Sequence, residues 1–422
     1  MDNIRKLKNI LIKKGAAYIF CGSFFTKFVA FFGSIFVIRI LSKEQYGILG
    51  YVENIYSYAY LIAGFGLSNA MLRYVILGKD INEKYSYYKY VINKGCLINI
   101  GIVAIFILIN HIYPHPVEYS NFRYLIDFLV LTIIFQYIVD AILLNERALF
   151  SNRRFAYISF GVSASLIICR IIGAYALKLD GVVFSRIIVN VIFAIILLYT
   201  AYQHNYKGAS ALKLDEDTKR SIDIYSIQYM ITNGLWAFFM LNDTFLLGLL
   251  CPDPTILADY KVAYVLPGNV SLISTAIGTF ICPYFVKHEH DRAWIQKKFI
   301  YVCCVTALSV GALCLLLGIF ARPIILLMYG PQYENIVYLM RILLIAAFFN
   351  CGLRFTVANI LASMGQIKFN MYISFVGVVV QIVLDILLIP NYGAIGVAYA
   401  SIFVYAIMAL CLFATFGKKY IH

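Results

Sequence analysis

Residues 181–189 read Gly-Val-Val-Phe-Ser-Arg-Ile-Ile-Val, and residues 396–404 repeat the pattern 215 positions later as Gly-Val-Ala-Tyr-Ala-Ser-Ile-Phe-Val. Two further matches lie at an offset of 214: residues 147–155 over residues 361–369, and Tyr46 over Tyr260. The three matches share nearly one register across 422 residues. Such a repeat in an apolar chain predicts two similar halves that move against each other around a central site.

The composition is that of a protein dissolved in a bilayer. Hydrophobic residues make up 62% of the chain and charged residues 13%, whereas a soluble domain carries about 25% charged residues. Twelve apolar stretches are long enough to cross a hydrocarbon core of about 30 Å as helices, six in each half. They are residues 16–40, 47–72, 95–113, 124–149, 155–177, 181–203, 224–250, 259–286, 297–321, 336–363, 369–390 and 393–416. Nothing alternates as the strands of a barrel would, so we expect an all-α membrane protein.

The basic residues predict the orientation of these spans. With a cytoplasmic N-terminus, most of the 35 lysines and arginines fall in inside segments, and the outside loops hold only Lys43, Arg123, Lys178 and Arg322. The positive-inside rule then places both termini in the cytoplasm, and the net charge of +14 needs no nucleic-acid partner. Six spans per half is an even number, so the repeat is parallel. The predicted domains are bundles 1–203 and 223–422, joined by a cytoplasmic loop, 204–222.

Several chemistries are excluded by missing motifs. The sequence has no Gly-x-x-x-x-Gly-Lys-Ser/Thr loop and no nucleophile elbow, so we expect neither an ATPase nor a hydrolase in this chain, and no enzyme activity. The run His288-Glu289-His290-Asp291 lies beside cations in a short loop. We interpret it as a solvated loop, and we expect no metal site and no bound cofactor.

Seven basic residues remain inside the spans: Lys27, Arg39, Arg170, Arg186, Lys261, Arg341 and Arg354. Each costs roughly 2.5–3.5 kcal/mol on insertion scales and therefore needs a reason. Arg39, Arg186 and Lys261 lie near the outer boundary and can snorkel to the headgroups. Lys27 lies near the middle of the first span, too deep to snorkel, so it either faces a cavity or pairs with a nearby acid.

The acids inside the spans are Glu53, Asp140, Asp243 and Asp385. The repeat places Asp140 over Arg354 and Arg170 over Asp385, so each half carries one acid and one base with the signs exchanged. These four residues are predicted to be charge locks, either within each bundle or between the halves. Glu53 and Asp243 are the candidates for coupling to a proton or a sodium ion.

Four short motifs lie at or near the ends of the predicted spans. They are residues 39–47 (Arg-Ile-Leu-Ser-Lys-Glu-Gln-Tyr-Gly), residues 64–74 (Gly-Phe-Gly-Leu-Ser-Asn-Ala-Met-Leu-Arg-Tyr), residues 258–264 (Ala-Asp-Tyr-Lys-Val-Ala-Tyr) and residues 389–398 (Ile-Pro-Asn-Tyr-Gly-Ala-Ile-Gly-Val-Ala). With the number and spacing of the spans, this pattern resembles the bacterial polysaccharide biosynthesis transporters. These are lipid-linked oligosaccharide flippases, including O-antigen flippases, of the multidrug/oligosaccharidyl-lipid/polysaccharide (MOP) superfamily.

The resemblance implies two six-helix bundles around a central cavity, formed mainly by the first, second, seventh and eighth helices. It implies movement of an undecaprenyl-pyrophosphate glycan across the bacterial cytoplasmic membrane by alternating access, alongside a polymerase and glycosyltransferases of the same pathway. Cationic residues line such cavities, and the matching helices here carry Lys27, Arg39 and Lys261. Lys27 would contact the pyrophosphate midway, with the other two near the exit.

Two other functions stay open at this point. The same superfamily contains cation-coupled multidrug exporters, for which Glu53 and Asp243 would matter more than Lys27. A membrane scaffold or channel is the third reading, but it would not explain charges placed symmetrically in both halves.

Overall fold

The computed structural model describes residues 16–288 and 291–421. The basic residues from Arg5 to Lys14, and Glu289 and His290 of the predicted solvated loop, lie outside the described residues. The helices in chain order are α1 (Ala16–Ile40), α2 (Lys43–Leu61), α3 (Leu67–Leu77), α4 (Ile81–Ile112), α5 (Arg123–Ala148), α6 (Asn152–Asn205), α7 (Glu216–Leu250), α8 (Pro254–Asn269), α9 (Ser271–Lys287), α10 (Arg292–Ile319), α11 (Ala321–Met328), α12 (Val337–Ala347), α13 (Phe355–Ser363), α14 (Ile367–Tyr392) and α15 (Ala394–Phe416).

Each predicted span falls within one or more helices, and the protein is an all-α, multi-pass membrane protein. Within the described ranges, eight helical stretches are long and apolar enough to cross a membrane, and the bent pair α2 and α3 makes a ninth. Three predicted spans are interrupted helices. Residues 47–72 contain a break at Ala63–Gly66, α8 and α9 divide the span 259–286 behind Pro267, and a π-helical segment, Phe348–Arg354, joins α12 to α13.

Helix α6 contains two of the predicted spans. Its 54 residues would make a straight helix about 80 Å long, which is far more than a bilayer needs. The chain instead turns at Lys178, whose backbone has φ 53° and ψ −124°. Gly173 and Gly181 pack against each other across this turn, because a Cβ on Gly173 would lie 2.2 Å from the Gly181 carbonyl oxygen. In a straight helix these residues would be about 12 Å apart.

The same turn occurs at the matching position of the second half. Gly393 follows Lys178 by 215 residues and has φ 54° and ψ −133° between α14 and α15. Gly396 packs on Leu388, with a built Cβ 2.7 Å from the Leu388 carbonyl oxygen. The repeat found in the sequence is therefore a repeat of backbone conformation at this turn.

The described chain forms two compact units, one ending at Leu241 and the other beginning at Asn242, within α7. The core of unit 1 gathers residues of α3, α4, α5 and α6 around Tyr137 and Met71. The core of unit 2 gathers residues of α9, α10, α13 and α15 around Phe299 and Phe416, whose rings stack. The predicted loop 204–222 packs on unit 1, where the Ser210 amide donates to Asn82 Oδ1. The predicted domain limits stay a prediction.

Candidate functional site

Unit 1 contains a helix break inside the predicted span 47–72. Between α2 and α3, Gly64, Phe65 and Gly66 all have positive φ, and the two helices meet at 43°. The two glycines permit this backbone because a left-handed conformation costs them little. An unwound backbone in a bilayer needs internal partners. The fully buried Asn99 supplies one, since its Oδ1 accepts the Gly64 amide at 2.7 Å.

A cavity of about 540 Å³ opens beside this break, and we call it the break cavity. Its lining comes from α2, α3, α5 and α7, all within unit 1. Hydroxyl, amide and carboxyl groups line part of it: Ser57, Tyr60, Ser68, Asn69 and Asp140. The α7 wall is more apolar and includes Met230, Gly234, Ala237, Met240 and Leu241. A space of this size, with a few polar groups among apolar ones, is typical of a small-molecule site.

Asp140 is the acid of the break cavity. Its carboxylate accepts a hydrogen bond from the Tyr60 hydroxyl. One turn earlier, Gln136 Oε1 accepts from the Tyr56 hydroxyl at 2.6 Å and from the Arg186 guanidinium at 3.2 Å. Arg186 also lies 4.2 Å above the Tyr56 ring. Arg186 is predicted from the sequence to snorkel to the headgroups. In the structure it is instead hydrogen-bonded to Gln136 and lies over the Tyr56 ring, one helical turn from Asp140.

The predicted lock between Asp140 and Arg170 is absent from the described structure. Arg170 instead forms an ion pair with Glu53 at 2.8 Å, with both side chains about one-fifth exposed. The rotation of α2 brings the Glu53 carboxylate to Arg170, whereas Asp140 turns toward Tyr60 and the cavity. Glu53, expected as an ion-coupling residue, is thus the counter-charge of Arg170.

The three predicted pyrophosphate ligands lie in different places. Lys27 is at mid-helix in α1 with an exposed side chain, and Arg39 is exposed near the end of the same helix. Lys261 is half-buried on α8 in unit 2. None of them is among the residues that line the break cavity. Exposed phenylalanines at a four-residue spacing follow Lys27 along α1: Phe28, Phe32 and Phe36.

Unit 2 contains a second polar site, around Asp243 and Asp385, which we call the aspartate pair. Their carboxyl groups are within hydrogen-bonding reach of each other, and Asp385 is fully buried. The Tyr260 hydroxyl donates to Asp243 Oδ2 at 3.2 Å. A fully buried carboxylate and a half-buried one this close repel each other strongly unless a proton or a cation lies between them.

Gln381 bridges the aspartate pair, and sequence reasoning missed it. Its Nε2 donates to Asp385 Oδ1 at 3.1 Å and lies 3.5 Å from Asp243 Oδ1 and 3.4 Å from Ser401 Oγ. Its Oε1 is buried without a hydrogen-bond partner in the described structure. The signal was present, because Gln381 precedes Asp385 by one helical turn. Carboxylate and hydroxyl oxygens together suit a hard cation or a shared proton.

The second predicted lock, between Arg354 and Asp385, is also absent from the described residues. Arg354 is buried and donates to Asn350 Oδ1 at 2.7 Å, with its guanidinium 5.8 Å from the centre of the Tyr405 ring. The wide π-helical turn places this amide beside the guanidinium. Asp385 instead accepts a hydrogen bond from Gln381 and lies beside Asp243.

Comparisons with known proteins agree with this architecture. Residues 36–338 match the family model described as polysaccharide biosynthesis protein. An uncharacterised membrane protein of Methanocaldococcus jannaschii is 21% identical, with 94% of this chain and 82% of that protein covered.

Two solved structures share the fold. The lipid II flippase MurJ in an inward closed conformation has a TM-score of 0.71 at 17% identity, covering 94% of this chain and 87% of that one. An inward-facing multidrug resistance MATE family transporter of the MOP superfamily has a TM-score of 0.73 at 12% identity, covering 94% of both chains.

Proposed function

Because the chain belongs to the polysaccharide biosynthesis protein family, and is a membrane transporter of the MOP superfamily, we propose that it flips a lipid-linked oligosaccharide. The substrate is an undecaprenyl-pyrophosphate glycan, carried by alternating access from the inner to the outer leaflet of a bacterial cytoplasmic membrane. A polymerase and glycosyltransferases of the same pathway would supply and consume the glycan. Both termini would lie in the cytoplasm, as the distribution of lysine and arginine predicts.

The break cavity is the observation that carries this proposal. A glycan presents many hydroxyl groups, and the Asp140 carboxylate and Asn69 amide offer acceptors and donors for them. The apolar and aromatic wall suits the faces of sugar rings. A cavity with this chemistry inside a bilayer shelters a polar headgroup that lipid would not accept.

The pyrophosphate needs positive charge along its path, because the bilayer core stabilises anions poorly. Lys27 is the one of our three predicted ligands that lies at mid-helix and is exposed, which favours it as the midpoint contact. Arg39 and Lys261 would act nearer the exit. The polyprenyl tail would stay in lipid.

Movement of the substrate would be coupled to a cation at the aspartate pair. Asp243 keeps its predicted role, while Glu53 is replaced by Asp385 because Arg170 already neutralises it. A sodium ion or a proton would occupy the site formed with Gln381 and Ser401.

A cation-coupled multidrug exporter is the second candidate. The acid in the break cavity favours it, since Asp140 would attract an organic cation. The two candidates differ in what accumulates when the gene is deleted: lipid-linked glycan at the inner leaflet for the flippase, or drug in the cytoplasm for the exporter.

The test combines gene deletion with complementation by variants. Asp140→Asn and Lys27→Gln should each leave lipid-linked glycan at the inner leaflet, measured by leaflet-selective labelling. Asp180→Asn is the matched control, because Asp180 also accepts from a tyrosine, Tyr124, but does not line the cavity. If deletion causes no inner-leaflet accumulation, or if Asp140→Asn and Lys27→Gln export normally while folded and inserted, the proposal fails.

A further inference from the structure

Unit 2 carries an apolar groove along the seam between α14 and α15, and we call it the seam groove. Its volume is about 240 Å³. The lining residues follow one face of each helix: Tyr372, Ile373, Val376, Gly377 and Val380 on α14, and Val404, Ile407, Met408 and Cys411 on α15. Gly377 forms part of the floor, because a Cβ there would lie 2.5 Å from Met408 Sδ.

The groove has the length of one leaflet. From Tyr372 to Val380 it runs eight residues, or about 12 Å along the helix. The hydrocarbon of one leaflet is about 15 Å deep. Tyr372, near the first turn of α14, is 64% exposed, and exposed tyrosines near the ends of spans commonly mark the edge of the hydrocarbon. The groove therefore runs from one membrane surface toward the middle of the bilayer.

Three lysines lie beyond the Tyr372 and Cys411 end of the seam groove, and no lysine is among its lining residues. Lys368 precedes Tyr372 by one helical turn, and Lys418 and Lys419 follow Cys411 in the π-helical segment Gly417–Ile421. All three are exposed. Gln296 of α10 donates to the Tyr420 carbonyl oxygen at 2.6 Å and holds this segment in place. An apolar groove with fixed cations at its mouth matches a lipid with an anionic headgroup.

We propose that the seam groove binds one acyl chain of an anionic phospholipid of the leaflet predicted to be cytoplasmic, with the lipid phosphate on Lys368, Lys418 and Lys419. This site is separate from the break cavity and goes beyond the proposed flippase activity. The occupant is a membrane phospholipid and not the transported substrate, because the groove has no polar lining to receive a glycan.

Cys411 provides a reporter at the edge of the groove, since its thiol is free and exposed. A variant that keeps Cys411 as its single cysteine is labelled with bimane and placed in nanodiscs. Phosphatidylglycerol with brominated chains should quench the bimane more strongly than brominated phosphatidylcholine at equal mole fraction. Neutralising Lys368 and Lys418 to Gln should weaken this preference about fivefold per lysine.

Matched variants separate the groove from the general lipid annulus. Val376→Phe should fill the groove and remove most of the phosphatidylglycerol-selective quenching. Val379→Phe is the control, because Val379 is also exposed on α14 but does not line the groove. Lys297→Gln and Lys298→Gln on α10 control for general surface charge. Size-exclusion chromatography and circular dichroism establish that each variant is folded.

Two results would overturn the proposal. Equal quenching by the two brominated lipids would mean that the groove contacts bulk lipid without selecting charge. Displacement of phosphatidylglycerol by an equal amount of polyprenyl diphosphate would assign the groove to the transported lipid. Neither result contradicts glycan export through the break cavity, so failure of the groove proposal is distinguishable from failure of the flippase proposal.

Discussion

Lys178 holds a backbone conformation that its counterpart in the repeat leaves to glycine. Its φ of 53° and ψ of −124° match those of Gly393, and they correspond to a turn position that favours glycine. A side chain there is strained by about 1–3 kcal/mol. Since the Lys178 side chain is exposed, replacing this lysine with glycine would remove no buried contact.

We expect Lys178→Gly to stabilise the protein by roughly 1 kcal/mol, the strain relieved minus the extra entropy of the unfolded chain. Thermal unfolding in detergent measures the change. Gly393→Lys is the converse variant and should unfold at a lower temperature. A lower melting temperature for Lys178→Gly would show that the lysine side chain contributes something beyond the turn.

The ion pair of Glu53 and Arg170 gives a second prediction at this scale. Arg170→Met should destabilise unit 1 by roughly 2 kcal/mol, because it leaves a largely buried carboxylate without its cation, and partial exposure screens part of the usual 3–5 kcal/mol. Glu53→Gln combined with Arg170→Met should recover much of this loss. Chemical unfolding of both single variants and the double variant gives the interaction energy. Strictly additive effects would mean that the pair contributes nothing.

The depth of each charged residue could be read from the sequence, but its partner could not. Asp140, Arg170, Arg354 and Asp385 all lie inside helices of the spans, as predicted. Pairing depends on the rotation of each helix about its axis, and a one-residue change turns a side chain by about 100°. In a span that is apolar on every face, hydrophobic periodicity does not define that rotation. The sequence repeat therefore matched the signs of the charges but not their contacts.

The break between α2 and α3 is the element on which the break cavity depends. Gly66 has φ 77°, and a Cβ there would lie 2.5 Å from the Ser226 carbonyl oxygen of α7. Gly66→Ala therefore adds a steric overlap to the cost of a left-handed alanine, which is about 1–2 kcal/mol. Gly208 has a similar φ of 83° with nothing within 4 Å, so Gly208→Ala has only the second cost.

We expect Gly66→Ala to lower stability by about 1–3 kcal/mol more than Gly208→Ala does. Thermal unfolding in detergent compares the two variants, and glycan export in cells shows whether the cavity survives. Equal destabilisation by both substitutions would mean that α7 can shift away from residue 66 at little cost. The close approach of Gly66 to the Ser226 carbonyl would then not be needed for stability.

Hydrophobic length identified the elements well, because a bilayer requires about 20 apolar residues per helix. It did not locate the interruptions inside them. Gly64-Phe65-Gly66 reads as an ordinary run of small and apolar residues in a membrane span, where glycine is common. The π-helical segment Phe348–Arg354 has no sequence signal of its own. Residues Ala63 and Gly66 of the break line the break cavity, so an element that shapes the candidate site could not be predicted.

At the scale of the whole molecule, the repeat reproduces a scaffold and not a site. The turns at Lys178 and Gly393 are nearly identical, yet unit 1 places a single acid, Asp140, in its cavity, and unit 2 places two acids, Asp243 and Asp385, side by side. Suppose that the break cavity of unit 1 holds substrate and the aspartate pair of unit 2 holds a cation. Coupled transport then requires that cation binding changes the relative free energies of the conformations that bind substrate.

This division of roles predicts that a cation stabilises the protein through the aspartate pair. Sodium at about 100 times its Kd should add roughly 2.7 kcal/mol to the stability of the wild type, measured as a rise in melting temperature when choline is replaced by sodium. Asp243→Asn and Asp385→Asn should abolish it, whereas Asp140→Asn, with the aspartate pair intact, should keep it. A wild-type melting temperature that does not respond to sodium would remove the cation from the mechanism.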